Sequence, residues 1–198
     1  MDKSFERTVA CFFVRAGKKN DSEWQWVIEI LSEFELIVDS YEQPRERSTD
    51  YKEQKKYYSG KQKKHTLKNQ IVVMPNGKEI VDVVVGETGA RADIKIWRSR
   101  REEWNSEEKF QGDKAYVGEL LIDTSHKKTR SKDITDAQKK ANKQKAIKRI
   151  IVEPMIRLVN IFRVAAERFR LKSGNYEPVI MVVCELIRWR IGAIVICQ

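Results

Sequence analysis

A chain of 198 residues with 41% hydrophobic content can bury one substantial core but is too short for two domains of ordinary size. Its 39 Lys and Arg against 29 Asp and Glu leave a formal charge of +10. That favours a polyanionic partner, nucleic acid first and a membrane surface second. The three cysteines, Cys11, Cys184 and Cys197, are odd in number and lack paired spacing, which excludes a disulfide framework or a zinc pair and reads as reduced thiols in a cytosolic protein.

The apolar stretch Val9 to Val14 follows a mixed-charge start and is cut off by Arg15, unlike a secretory signal. From Ser22 to Phe34, Trp24, Val27, Ile28, Leu31 and Phe34 fall at helical spacing behind a Ser22 cap and predict a short amphipathic helix. Glu35 to Asp39 reads as a strand. Residues 40–66 show little apolar periodicity and carry Lys52, Lys55, Lys56, Lys61, Lys63 and Lys64 around Tyr57 and Tyr58, so a basic insertion loop is expected there. Asn69 to Met74 and Glu79 to Val85 are rich in β-branched residues, and Pro75-Asn76-Gly77 between them supplies the positive φ of a tight hairpin.

Asp93 to Lys109 has a helix-like order, and a short strand is expected near Tyr116. Thr135-Asp-Ala-Gln138 spells a capping box opening a helix toward Glu153, and Met155 to Phe169 continues the pattern. Val179 to Cys197 is strongly apolar, but Glu185, Arg188 and Arg190 interrupt it; a buried terminal helix is expected, and no membrane span. The order predicts an α/β fold, a mixed sheet whose first three strands form an antiparallel meander flanked by helices. The division expected is residues 1–34 before the domain and 35–198 as the domain itself.

Asp39, Asp113 and Glu153 each follow or interrupt an apolar run, at Phe34 to Val38, Phe110 to Gly112 and Ile150 to Val152. Acids aimed from the core of a cationic protein suggest bound Mg²⁺ and phosphodiester chemistry. Mg²⁺ takes hard carboxylate oxygens and keeps several waters, so two or three acids suffice and no His or Cys is required. A pair of such ions about 3.5–4 Å apart would serve both the attacking and leaving oxygens. The bland alternative is that strand-end aspartates only cap turns and that the basic tract is a solvated run.

The strings themselves resemble the catalytic domain of bacterial insertion-sequence DDE transposases. They are Ile37-Val-Asp39 with Tyr41-Glu-Gln-Pro-Arg-Glu-Arg47, Tyr57-Tyr-Ser-Gly-Lys61 with Lys64-His65 and Lys68, Gly112-Asp-Lys-Ala-Tyr-Val-Gly118, Arg149-Ile-Ile-Val-Glu153, and Ile161-Phe-Arg163. The resemblance implies a ribonuclease-H-like fold and a metal-dependent endonuclease and strand transferase that cuts transposon ends and joins them to target DNA. It implies Asp39, Asp113 and Glu153 as catalytic and metal-binding acids, Mg²⁺ as cofactor with Mn²⁺ able to substitute, and Lys61, Lys63, Lys64, His65, Lys68 and Arg149 as DNA contacts. His126, in a Lys-rich stretch, reads as solvated.

Double-stranded DNA is the expected partner, in the nucleoid of the cytoplasm, with a homodimer as the working assembly. Relatives often carry Lys seven residues after the Glu, where Asn160 stands here, and Pro154 directly follows Glu153. Full members usually begin with a helix-turn-helix domain, which the roughly 20 residues before the matched region cannot hold. A truncated copy, or one half of a split enzyme with a separately encoded N-terminal half, is the expectation. The alternative to a working endonuclease and strand transferase is a truncated or decayed transposase that binds DNA without catalysis.

Overall fold

Strand β1 (Glu35–Pro44) lies at the middle of the protein because both of its faces are apolar. Leu36 and Val38 point into one core with Leu31, Val72, Met74, Trp97, Phe110, Tyr116 and Ile122. Ile37 and Tyr41 point into the other, with Ile71, Val73, Val152, Met155, Val159, Ile180, Val183 and Ile187. A strand buried on both sides carries apolar residues in succession rather than alternation, and Leu36-Ile-Val38 is such a run. The structure, a computed structural model, describes residue 29 and residues 31–77, 79–126 and 133–196, with the side chains of 191–196 left out.

Strand β3 (Lys64–Val73) pairs antiparallel with β1 on one side. Its other side takes β4 (Ile80–Thr88) and the two-residue β2 (Tyr58–Ser59), both antiparallel. On the far side of β1, β5 (Lys109–Gln111) and then β6 (Ile122–Asp123) are added in parallel. The result is a mixed six-stranded sheet flanked by helices, consistent with a ribonuclease-H-like fold. Helices α4 (Val152–Ile161), α5 (Arg163–Ala166) and α6 (Tyr176–Ile196) cover one face. Helix α2 (Asp93–Arg98) covers the other, where Trp97 stacks on Trp104 at 5.7 Å and meets Phe110 edge-on at 4.7 Å. Among the described residues no helix is long and apolar enough to cross a membrane.

The hairpin forms as expected, with Gly77 at φ 67° and Met74 N–H donating to the Glu79 carbonyl at 3.0 Å. The Thr135 capping box opens α3 (Asp136–Arg149). Of the expected N-terminal helix only the last turn falls within the described residues.

Elsewhere the structure departs from expectation. Residues 40–66 are largely ordered elements: β1 runs on to Pro44, α1 (Tyr51–Tyr57) follows behind an Asp50 cap, then β2. Helix α1 has no buried residue, so apolar periodicity could not reveal it. The strand expected near Tyr116 lies earlier, at β5, and Tyr116 belongs to a 3₁₀ turn over Lys114–Tyr116. Met155 to Phe169 is not one helix. Phe162 is extended between α4 and α5, and Phe169 N–H donates to the Pro44 carbonyl at 2.8 Å, drawing the chain to the end of β1.

The helix aimed at Glu153 breaks before reaching it: α3 ends at Arg149 and α4 begins at Val152. Pro154 therefore sits in a first turn, where its missing N–H removes no intrahelical bond. That resolves the conflict a proline beside the acid poses.

Gly112 joins β5 to the turn beyond it in a space that excludes a side chain. A Cβ there would lie 2.8 Å from Ile122 Cγ2 and 2.9 Å from Tyr116 Cδ2. Gly112→Ala is expected to cost about 1–3 kcal/mol through overpacking. At ~2–4 °C per kcal/mol for a chain of this size, thermal denaturation should show a fall of about 5 °C.

Candidate active site

Asp39 and Asp113 lie just beyond the paired stretch of the parallel strands β1 and β5, close enough for the charge of Asp113 to act on Asp39. In that pairing Glu35 lies opposite Lys109, Leu36 opposite Phe110 and Ile37 opposite Gln111. The same offset carried two residues onward sets Asp39 opposite Asp113. Strand β5 has ended by then, and Asp113 caps the 3₁₀ turn, its Oδ1 accepting from Ala115 N–H at 2.7 Å. Asp39 stays in β1, and its Oδ1 accepts from Ser40 N–H at 2.8 Å. Asp113 thus follows the carboxyl end of a parallel strand, the end at which ligands gather in α/β sheets.

Burial is the main cause that raises the Asp39 pKa above its ordinary 3.8. The Ser40 hydrogen bond opposes the rise, the Asp113 charge adds to it, Arg149 opposes it and Asp93 adds again. Three acids and one arginine therefore share one electrostatic neighbourhood.

Tyr116 ties the two aspartate segments together. Its N–H donates to the Asp113 carbonyl at 3.2 Å. Its buried hydroxyl lies 3.0 Å from Ser40 Oγ and accepts from Gln70 Nε2 at 2.9 Å. Gln70 Nε2 also reaches the Asp93 carbonyl at 3.2 Å. Sequence reasoning missed Tyr116, Gln70 and Asp93 as supports. Only their placement beside Gly112-Asp113 and at a helix start could have pointed to them.

Glu153 stands apart from the pair. It lies in the first turn of α4 with its side chain 64% exposed and meets Arg157 Nη2 at 4.0 Å. Among the described residues no group of three or more His, Cys, Asp or Glu stands together as a metal site. Asp39 and Asp113 still fit a hard divalent cation. They offer carboxylate oxygens from a strand and a capped turn, and their mutual repulsion would be relieved by a positive ion.

The basic residues divide into two groups. Lys61 and Lys63, in the turn between β2 and β3, and Lys64, the first residue of β3, are exposed. Lys63 takes a left-handed φ of 55°, held as its N–H donates to the Ser59 carbonyl at 2.8 Å. His65 is half-buried, edge-on to Tyr58 with ring centroids 5.6 Å apart. Lys68, expected to contact DNA, is instead buried: its ammonium lies 3.0 Å from Asp93 and 3.8 Å from Glu42 and donates to the Arg91 carbonyl at 2.7 Å. Strand β3 is buried on both faces from Thr66 onward, so Lys68 is covered although it shares a face with the exposed Lys64. Arg149 is half-buried at the end of α3, near Asp39.

The family profile of the DDE superfamily endonucleases matches residues 38–188. A protein of Microchaete diplosiphon described as "Probable transposase for insertion sequence element IS702" is 31% identical over 145 residues, covering 71% of this chain and 51% of the relative. The chain thus spans about half the length of the curated relative it matches. No solved structure gives a significant match.

Proposed function

The chain belongs to the DDE superfamily endonucleases of insertion-sequence transposases, and from that premise we propose that it cuts and joins DNA at Asp39 and Asp113, with Glu153 as third acid. The observation that carries this reading is the nearness of Asp39 and Asp113 at the end of the β1–β5 pairing, with the charges of Asp113 and Arg149 both acting on Asp39. Endonucleases of this superfamily use divalent metals, and the all-carboxylate donor set suits Mg²⁺, with Mn²⁺ able to replace it. Bound there, the ion supplies an activated water and stabilises the leaving oxygen of the phosphodiester.

In this reading Asp39 and Asp113 fix the ion from rigid elements, and Tyr116 keeps their separation constant. Arg149 offsets the negative field at Asp39 and offers a donor to a phosphate oxygen. Lys61, Lys63, Lys64 and His65 form an exposed contact for the DNA backbone, whereas Lys68 serves the fold. Glu153 is exposed on the first turn of α4, and a side-chain rotation toward the two aspartates on DNA binding would complete the set. Duplex DNA, as transposon ends and target, is the substrate, which puts the working location at the nucleoid. Pairing of the two ends would come from a homodimer.

A second reading, a transposase remnant that binds DNA without cutting it, is favoured by the outward Glu153 beside Arg157 and by Asn160. Cleavage of a duplex in Mg²⁺ or Mn²⁺ separates the two. On the first reading wild type cuts and Glu153→Gln loses about 10²–10³-fold, several kcal/mol of barrier. On the second, wild type binds the duplex and leaves it intact even in Mn²⁺.

A further inference from the structure

Helix α3 contributes no residue to either core: none of its 14 residues is buried. A helix polar on all sides is held by ion pairs or takes a partner. Its tethers are polar and lie on one side. Lys145 Nζ reaches Asp123 Oδ1 at 2.5 Å, Gln111 Nε2 donates to the Lys145 carbonyl at 3.0 Å, and Asn142 exchanges two hydrogen bonds with the His126 backbone at 2.8 and 3.0 Å.

At helical spacing the opposite side carries Lys139, Lys140 and Lys143, all exposed. Among the described residues Lys140 and Lys143 have no ion pair, and Lys139 has only Asp136, three positions away. The helix holds five Lys and one Arg against one Asp, so these 14 residues carry half of the formal +10 of the whole chain. Its last residue, Arg149, is the arginine whose charge reaches Asp39.

We propose that α3 is a phosphate-binding track on which Lys139, Lys140 and Lys143 hold the backbone of a DNA duplex on the side away from the tethers. At about 1.5 Å per residue the helix spans roughly 21 Å, the length of about six base steps at ~3.4 Å each. A lysine stripe suits phosphate, since each contact releases condensed counterions. It suits a protein partner poorly, because lysine is depleted at the buried centres of such interfaces. The inference rests on the reading of the chain as a DNA-processing protein, but it concerns binding and is separable from cleavage.

The test is fluorescence anisotropy of a 20-base-pair duplex with the full chain in EDTA, from about 50 to 300 mM salt, so that catalysis plays no part. Lys139→Gln, Lys140→Gln and Lys143→Gln combined should flatten the slope of log K against log salt by about 2–3, near 0.9 per lost contact. Far-UV circular dichroism should stay unchanged, because all three side chains are exposed. A parallel set, Lys61→Gln, Lys63→Gln and Lys64→Gln, separates the two claims. If only that set flattens the slope, DNA binding stands and the α3 track is overturned. If wild type shows no salt-dependent binding at all, the DNA reading fails and takes the track with it. Loss of binding to polyglutamate but not to duplex would overturn it in favour of an acidic protein partner.

Discussion

Asp39→Asn is expected to eliminate metal-dependent cleavage while leaving the protein folded and more stable than wild type at neutral pH. The loss should reach about 10³-fold or more, since a bound ion supplies several kcal/mol of transition-state stabilisation at ~1.4 kcal/mol per tenfold. The stability gain follows from the raised pKa of this group, caused first by burial. With the folded value above the unfolded 3.8, favourable linkage is complete below pH 3.8 and is lost as pH rises through the folded value. At neutral pH wild type therefore carries the whole penalty of a charged, buried carboxylate, which asparagine does not. The gap in Tm between variant and wild type should widen as pH climbs from about 4. Added Mg²⁺ should narrow it, because binding stabilises only the folded chain that keeps the site, by ~2.7 kcal/mol at a hundredfold excess over Kd. A Tm difference flat with pH, or equal Mg²⁺ stabilisation of both proteins, would contradict the assignment of Asp39 as a ligand.

Lys68→Gln should give the largest loss of stability. The ammonium lies between Glu42 and Asp93, all three side chains being largely withdrawn from water, with Thr66 Oγ1 donating to Glu42 at 2.7 Å. Removing the one cation leaves buried carboxylates uncompensated, at a cost of about 3–5 kcal/mol. In a chain of this size that is a fall of about 10 °C, at ~2–4 °C per kcal/mol. Neutralising the acids together with the lysine, as Glu42→Gln, Asp93→Asn and Lys68→Met, should recover most of the loss. Apolar or neutral substitution of a whole buried ionic group is often close to neutral. The slope of DNA binding against salt should not move in either variant, in contrast to changes at Lys61, Lys63 or Lys64. A flattened slope in Lys68→Gln would return this residue to the DNA interface.

The two aspartates were legible because each sits at a change of environment that residue types announce. Ile37-Val-Asp39 passes from apolar to acidic in a strand, and Gly112-Asp113 marks a turn. The hairpin and the Thr135 cap were legible for the same reason: Asn-Gly and Thr-x-x-Gln carry their own geometry. Helix α1 was hidden because it buries nothing. The fate of Lys68 was hidden because the point along β3 at which both faces become covered decides which lysines are buried, and the extent of β3 was underestimated by five residues at its start. The break between α3 and α4 depends on tertiary packing around Ile151, which composition does not report.

That joint rests against the hairpin on the distant sheet edge. A Cβ on Gly77 would come within 2.6 Å of Ile151 Cγ2, two residues before Glu153. The turn therefore packs against the start of α4, and a side chain in place of Gly77 would press on Ile151 and, through it, on the first turn that carries Glu153.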